Sequence, residues 1–84
     1  MRFARSSAFK RRAEKLTREQ TAMLAGALRR FSRNPRDPLL NTHRLKGDLK
    51  DYWAFGVDQD LRVAFRWQGD EAFLVNIGSH DEVC

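Results

Sequence analysis

The stretch Leu61-Arg-Val-Ala-Phe-Arg-Trp67 constrains the fold more than any other part of the chain. Large apolar residues alternate with Arg62, Ala64 and Arg66, and a period of two is the signature of a strand with one buried face. Leu61, Val63, Phe65 and Trp67 must then face a core, and the two arginines must face away from it. Gln68-Gly-Asp70 reads as a turn, and Glu71–Ile77 as the returning strand with Phe73, Val75 and Ile77 inward. Tyr52–Val57 is expected to be another strand, joined by Asp58-Gln-Asp60, and His43–Lys46 to begin a further one before the chain turns at Gly47 and Asp48.

The first half has a different period. Met1–Arg5 alternates weakly and can form a short strand. Ser6 or Ser7 can cap a helix running through Lys15, with Phe9, Ala13 and Leu16 on one side. Thr17-Arg-Glu-Gln20 has the spacing of a capping box, so a second helix should begin there. Its apolar stripe is Leu24, Ala27, Leu28 and Phe31. Asn34-Pro-Arg-Asp-Pro38 ends it, because proline lacks a donor and restrains the residue before it. Two helices followed by an antiparallel meander predict a single α+β domain over residues 1–84, with helices on one sheet face and the other partly open.

Charge and composition narrow the function. Residues 1–50 carry a net charge of +10 and residues 51–84 one of −5. A basic half of that strength suits a polyanion such as nucleic acid, although the solvated faces of two helices would also account for it. No apolar stretch approaches the ~20 residues that span a bilayer. The N-terminus lacks the apolar segment of a signal peptide. The single cysteine, Cys84, allows no internal disulfide or CxxC metal site. These features predict a cytoplasmic protein without a membrane partner.

The chemistry concentrates in a few residues. Arg62 and Arg66 are the only basic residues in the acidic half, and planar guanidinium forks on an open sheet face match phosphate oxygens. Cross-strand pairing with Asp or Glu is the competing reading. His43 and His80 each lie beside a glycine at a strand edge, and Asp60 precedes the Arg62 strand. Two imidazoles with arginines and a carboxylate suffice for metal-free RNA cleavage. A base takes the 2′-hydroxyl proton, an acid protonates the leaving 5′-oxygen, and cations hold the growing charge. No ligand pair has the spacing of a zinc site, and there is no glycine-rich phosphate loop. Neither a metal nor another cofactor is expected.

Five pieces in order, NP after the second helix, HRLKG, DYW, DLRVAF and IGSHDEV, resemble the RelE/ParE toxin superfamily of type II toxin–antitoxin systems, most closely its YafQ-like branch. The resemblance covers residues 34–84 and agrees with the two helices before them. It implies a microbial-RNase-like fold, with two helices against a curved antiparallel sheet whose concave face is the active site. It further implies metal-independent cleavage of messenger RNA on the ribosome, and inhibition by a cognate antitoxin in a hetero-oligomer. By the same resemblance His43, Asp60, Arg62 and His80 would be catalytic and Lys46 and Lys50 would contact RNA, and Arg66, beside Arg62 on the open sheet face, is expected to contact it too. ParE-type members instead inhibit DNA gyrase, and a weak homologue would only bind its antitoxin. Two positions depart from the pattern: Gly56 stands where the YafQ branch has a histidine, and Cys84 where many relatives have a base-stacking aromatic.

Overall fold

The computed structural model describes residues 1–47 and 51–83. Lys50, the expected turn at Asp48 and the terminal Cys84 lie outside the described residues. The chain opens with strand β1 (Arg2–Arg5) and enters helix α1 (Ser7–Glu14) at Ser6, whose hydroxyl accepts from the Phe9 amide at 3.0 Å. Helix α2 (Arg18–Arg33) starts in the expected capping box. Thr17 Oγ1 accepts from the Gln20 amide, and Gln20 Oε1 accepts from the Thr17 amide, both at 3.0 Å. Asn34, held extended by the following proline, ends it. A short 3-10 turn (Pro38–Leu40), missed by the sequence reading, leads into β2 (His43–Arg44), β3 (Trp53–Gly56), β4 (Leu61–Gln68) and β5 (Glu71–Ser79). A final turn of helix, α3 (His80–Val83), follows at once.

The strands form one sheet in the order β1-β5-β4-β3-β2. It is mixed rather than wholly antiparallel, because β1 pairs in parallel with β5, Arg2 opposite Glu71 through Arg5 opposite Leu74. The local pattern of Met1–Arg5 is compatible with either direction. The direction is decided by the rest of the fold, since the chain passes through both helices and β2, β3 and β4 before β5 comes back beside β1.

The returning strand corrects a second expectation. Val63 pairs with Ile77 and Ala64 with Asn76, but Phe65 pairs with Leu74, so Val75 is an extra residue in a β-bulge. Beyond a bulge every side chain changes face. Ile77, Leu74 and Ala72 are therefore the buried residues of β5, whereas Phe73 and Val75, expected inward, are only half-buried. Phe73 pairs with Arg66 on the opposite face. The backbone that the bulge frees is satisfied by Ser6, which donates its hydroxyl to the Val75 carbonyl at 2.6 Å and its amide to that of Leu74 at 2.9 Å.

Between α2 and the sheet lies an aromatic core centred on Phe31, which is fully buried. Its ring stacks on Phe55 at 4.9 Å, meets Phe65 edge-on at 5.0 Å and stacks on Trp67 at 5.6 Å. A smaller cluster of Leu45, Ala54, Ala64 and Val83 sits on the other face, where Val83 of α3 folds back over the small alanines. Among the described residues no helix is long and apolar enough to cross a membrane.

Candidate nucleic-acid interface

The face of β4 away from α2 carries Arg62, Ala64 and Arg66. Cross-strand pairing with carboxylates, the alternative to phosphate binding, does not occur here among the described residues. The neighbours of Arg62 are Gly56 on β3 and Gly78 on β5, and that of Arg66 on β5 is Phe73. Arg62 Nη1 donates to the Asp58 carbonyl at 2.6 Å, leaving the rest of its fork without a counter-charge. The guanidinium lies against Gly56, where a Cβ would stand 3.4 Å from Arg62 Nη1 and 3.6 Å from the Leu40 carbonyl. A cation from β4 thus adjoins the position where the YafQ pattern has a histidine.

The Asp58–Asp60 turn positions the next carboxylate. Asp58 Oδ1 accepts from the amides of Asp60 at 2.8 Å and Leu61 at 2.7 Å, which leaves the Asp60 side chain exposed. Leu61 opposite Ser79 is the last pair of the β4–β5 ladder, and Asp60 and His80 are the next residues on either strand. The fold therefore brings Asp60, Arg62 and His80 to one end of this ladder.

His80 is the first residue of α3, and a local signal overlooked in the sequence explains why. Ser79-His-Asp-Glu82 is a capping box of S-x-x-E type: Glu82 Oε1 accepts from the Ser79 amide at 2.8 Å, and Ser79 Oγ accepts from the Glu82 amide at 3.3 Å. Arg12 on α1 clamps the same carboxylate at 3.0 Å and reaches the Ile77 carbonyl at 3.4 Å. The hydrogen bonds from Ser79, amide first and hydroxyl second, and then the Arg12 charge hold Glu82 below its ordinary value of 4.5. A Cβ at Gly78 would lie 2.8 Å from Glu82 Oε1 and 2.9 Å from Arg12 Nη1, so a side chain there would displace the ends of both. Arg12, Ser79 and Glu82 are the residues that hold His80, and the S-x-x-E spacing could have revealed the last two.

His43 lies on the other edge strand. It pairs with Ala54, which pairs with Ala64, so all three share the sheet face of Arg62 and Arg66, where Val83 covers the two alanines. Three strand spacings, about 14 Å, separate β2 from β5. The His43 ring is oriented by its Nδ1, 2.8 Å from the Asn41 carbonyl. A carbonyl only accepts, so Nδ1 carries the proton and a neutral His43 presents Nε2 as an acceptor. Lys46 is exposed just beyond β2. A cleft of about 480 Å³ opens at the Leu61–Ser79 end of the β4–β5 ladder, between Arg12, Lys15 and Gln20 on one side and Leu61, Gly78 and Ser79 on the other; of the expected site residues it is lined by Asp60 alone. Among the described residues no group of three His, Cys, Asp or Glu side chains is arranged to hold a metal ion.

No family model and no curated protein matches the chain. Solved structures do. The YoeB/ParE toxin from Agrobacterium tumefaciens superposes with a TM-score of 0.81 at 19% identity, over 95% of this chain and 99% of that one. YafQ from E. coli strain BL21(DE3) gives 0.76 at 17% identity, over 98% and 97%. The YoeB–YefM complex from Staphylococcus aureus gives 0.79 at 12% identity, over 95% and 97%. The chain therefore has the α+β fold of the YoeB/ParE and YafQ toxins. The fold implied by its motifs is the fold it adopts.

Proposed function

We propose that the chain is the toxin of a toxin–antitoxin pair and cuts messenger RNA on the ribosome without a metal. The observation that carries this reading is Arg62 beside Asp60 and His80 at one end of the β4–β5 ladder, with Arg66 further along the same strand face and neither arginine ion-paired to a carboxylate among the described residues. A structural face would neutralise such charges; a phosphate-binding face keeps them available. In the proposed reaction His43 Nε2 takes the proton of the 2′-hydroxyl, and that oxygen attacks the adjacent phosphorus. The bond from phosphorus to the 5′-oxygen breaks as His80 protonates the leaving oxygen, so the products are a 2′,3′-cyclic phosphate and a free 5′-hydroxyl. Arg62 stabilises the charge on the non-bridging oxygens, and Asp60 supports the protonated form of His80. Lys46, Lys50 and Arg66 contact the RNA on either side.

The basic first half suits ribosomal RNA, because backbone contacts require charge rather than sequence. The same charge suits an antitoxin with an acidic segment that folds as it binds. Such a protein acts in the cytoplasm, where the ribosomes are. The test is cleavage of a translated message by the purified chain, with and without ribosomes, mapped to the nucleotide. Cuts that appear on ribosomes and vanish in a folded His80→Ala variant are the expected result. Full cleavage by that variant would remove His80 from the mechanism. The first solved structure above carries the ParE name as well as the YoeB name, so gyrase supercoiling belongs in the same experiment. Inhibition of supercoiling that persists in His80→Ala would favour a protein-directed toxin.

A further inference from the structure

The bulge at Val75 moves a phenylalanine out of the core and onto the face that carries the arginines. There Phe73 pairs directly with Arg66, whose guanidinium carbon lies 5.1 Å from the centre of the ring. Arg66 makes no ion pair among the described residues, and its Nε is buried without a hydrogen-bond partner. The pair shares the face of Arg62, four residues back on the same strand and therefore about 13 Å away. Between them on β5 is Asn76, whose Oδ1 already accepts from the Ile77 amide at 3.0 Å, so its NH2 is the group free to donate.

We propose that Arg66 and Phe73 form a stacking seat for one RNA base, flanking the phosphate held by Arg62. A guanidinium lying over an aromatic ring presents a second planar surface on its outer side, and bases of single-stranded RNA stack on such planes. The three layers would be base, Arg66 and Phe73, with the Asn76 amide beside the base edge. Phe73 would thus provide an aromatic support on the sheet itself. An acidic peptide would also find Arg66, but it would make no use of the ring beneath. The inference rests on the reading of this face as an RNA-cutting surface and adds the contact that orients the nucleotide beside the cut.

The test uses the full chain and 2′-O-methyl tetranucleotides, which cannot be cut because the attacking hydroxyl is blocked. One probe is intact; others lack a single base in turn. Phe73→Leu keeps the apolar bulk but loses the ring face, Arg66→Lys keeps the charge but loses the plane, and thermal melting checks that both fold. Each variant is expected to bind the intact probe about 5- to 100-fold more weakly, the worth of one stacked base. For one abasic probe, wild type and variants should bind alike. Three results overturn the proposal. If both variants bind the intact probe as wild type does while Arg62→Ala does not, the seat is wrong and the RNA-binding face stands. If Arg66→Lys weakens the intact and all abasic probes equally, Arg66 is a phosphate contact and not a stacking plane. If wild type binds no probe, the seat and the RNA reading fall together.

Discussion

One face of β4 sets Leu61, Val63 and Phe65 against an aromatic core centred on Phe31, and all four are buried. The other face of the same strand sets Arg62 and Arg66 beside glycines and a phenylalanine, with no carboxylate partner among the described residues. Core residues have their partners already, ring against ring at 4.9 to 5.7 Å. The arginines have a backbone carbonyl and a ring but no counter-charge among the described residues, and the neighbours that flank Arg62 lack side chains altogether. One face has completed its interactions within the fold. The opposite face holds interactions in reserve, which is what a binding surface requires.

The contrast breaks most severely on the core side. Phe31→Ala removes the ring that touches four other aromatics and should cost about 3–5 kcal/mol. A small domain has about 5–15 kcal/mol in total, so urea unfolding should show a protein near the limit of folding. A loss under about 1 kcal/mol would mean that the ring cluster is not what holds helix to sheet. Arg62→Ala tests the other face. Cleavage should fall about 10²- to 10³-fold, as when one transition-state donor is removed, while stability moves by less than about 1 kcal/mol. A large drop in stability with cleavage kept would make Arg62 a structural residue, tied to the Asp58 carbonyl.

The smallest effect belongs to the link between the two sides, the Arg12–Glu82 contact that ties α1 to the turn bearing His80. Glu82 is held below its ordinary value of 4.5 in the folded protein. Its contribution is thus present above the unfolded value and is lost as pH falls through the lowered one. Acidification below 4.5 should shift the Ser79 and Glu82 amide signals in NMR before those of Val63 or Phe65 move. Arg12→Gln should raise the midpoint of that shift. An unchanged midpoint would leave Ser79 as the sole anchor of the turn.

Much of this organisation is legible in the chain because it is local. Ser6 and Thr17 announce the two helices through bonds that span three residues, and proline ends the second. The alternation of residues 61–67 assigns each side chain to a face without reference to any partner. The S-x-x-E box that starts the last turn is equally local, with bonds that span three residues.

Three things had no local signature. The parallel placement of β1 beside β5 joins segments about seventy residues apart. The bulge at Val75 is stabilised by Ser6 from the other end of the chain, and that one extra residue puts Phe73 on the arginine face. Gly56 reads in the sequence as the loss of a histidine, whereas in the fold it lies against the Arg62 guanidinium. Period and capping are set by neighbours within one or two turns, so the amino-acid sequence alone determines which residues are helical, which are extended and which face is apolar. Register, strand direction and what lies against a glycine depend on partners distant in the chain, and the tertiary structure alone decides them.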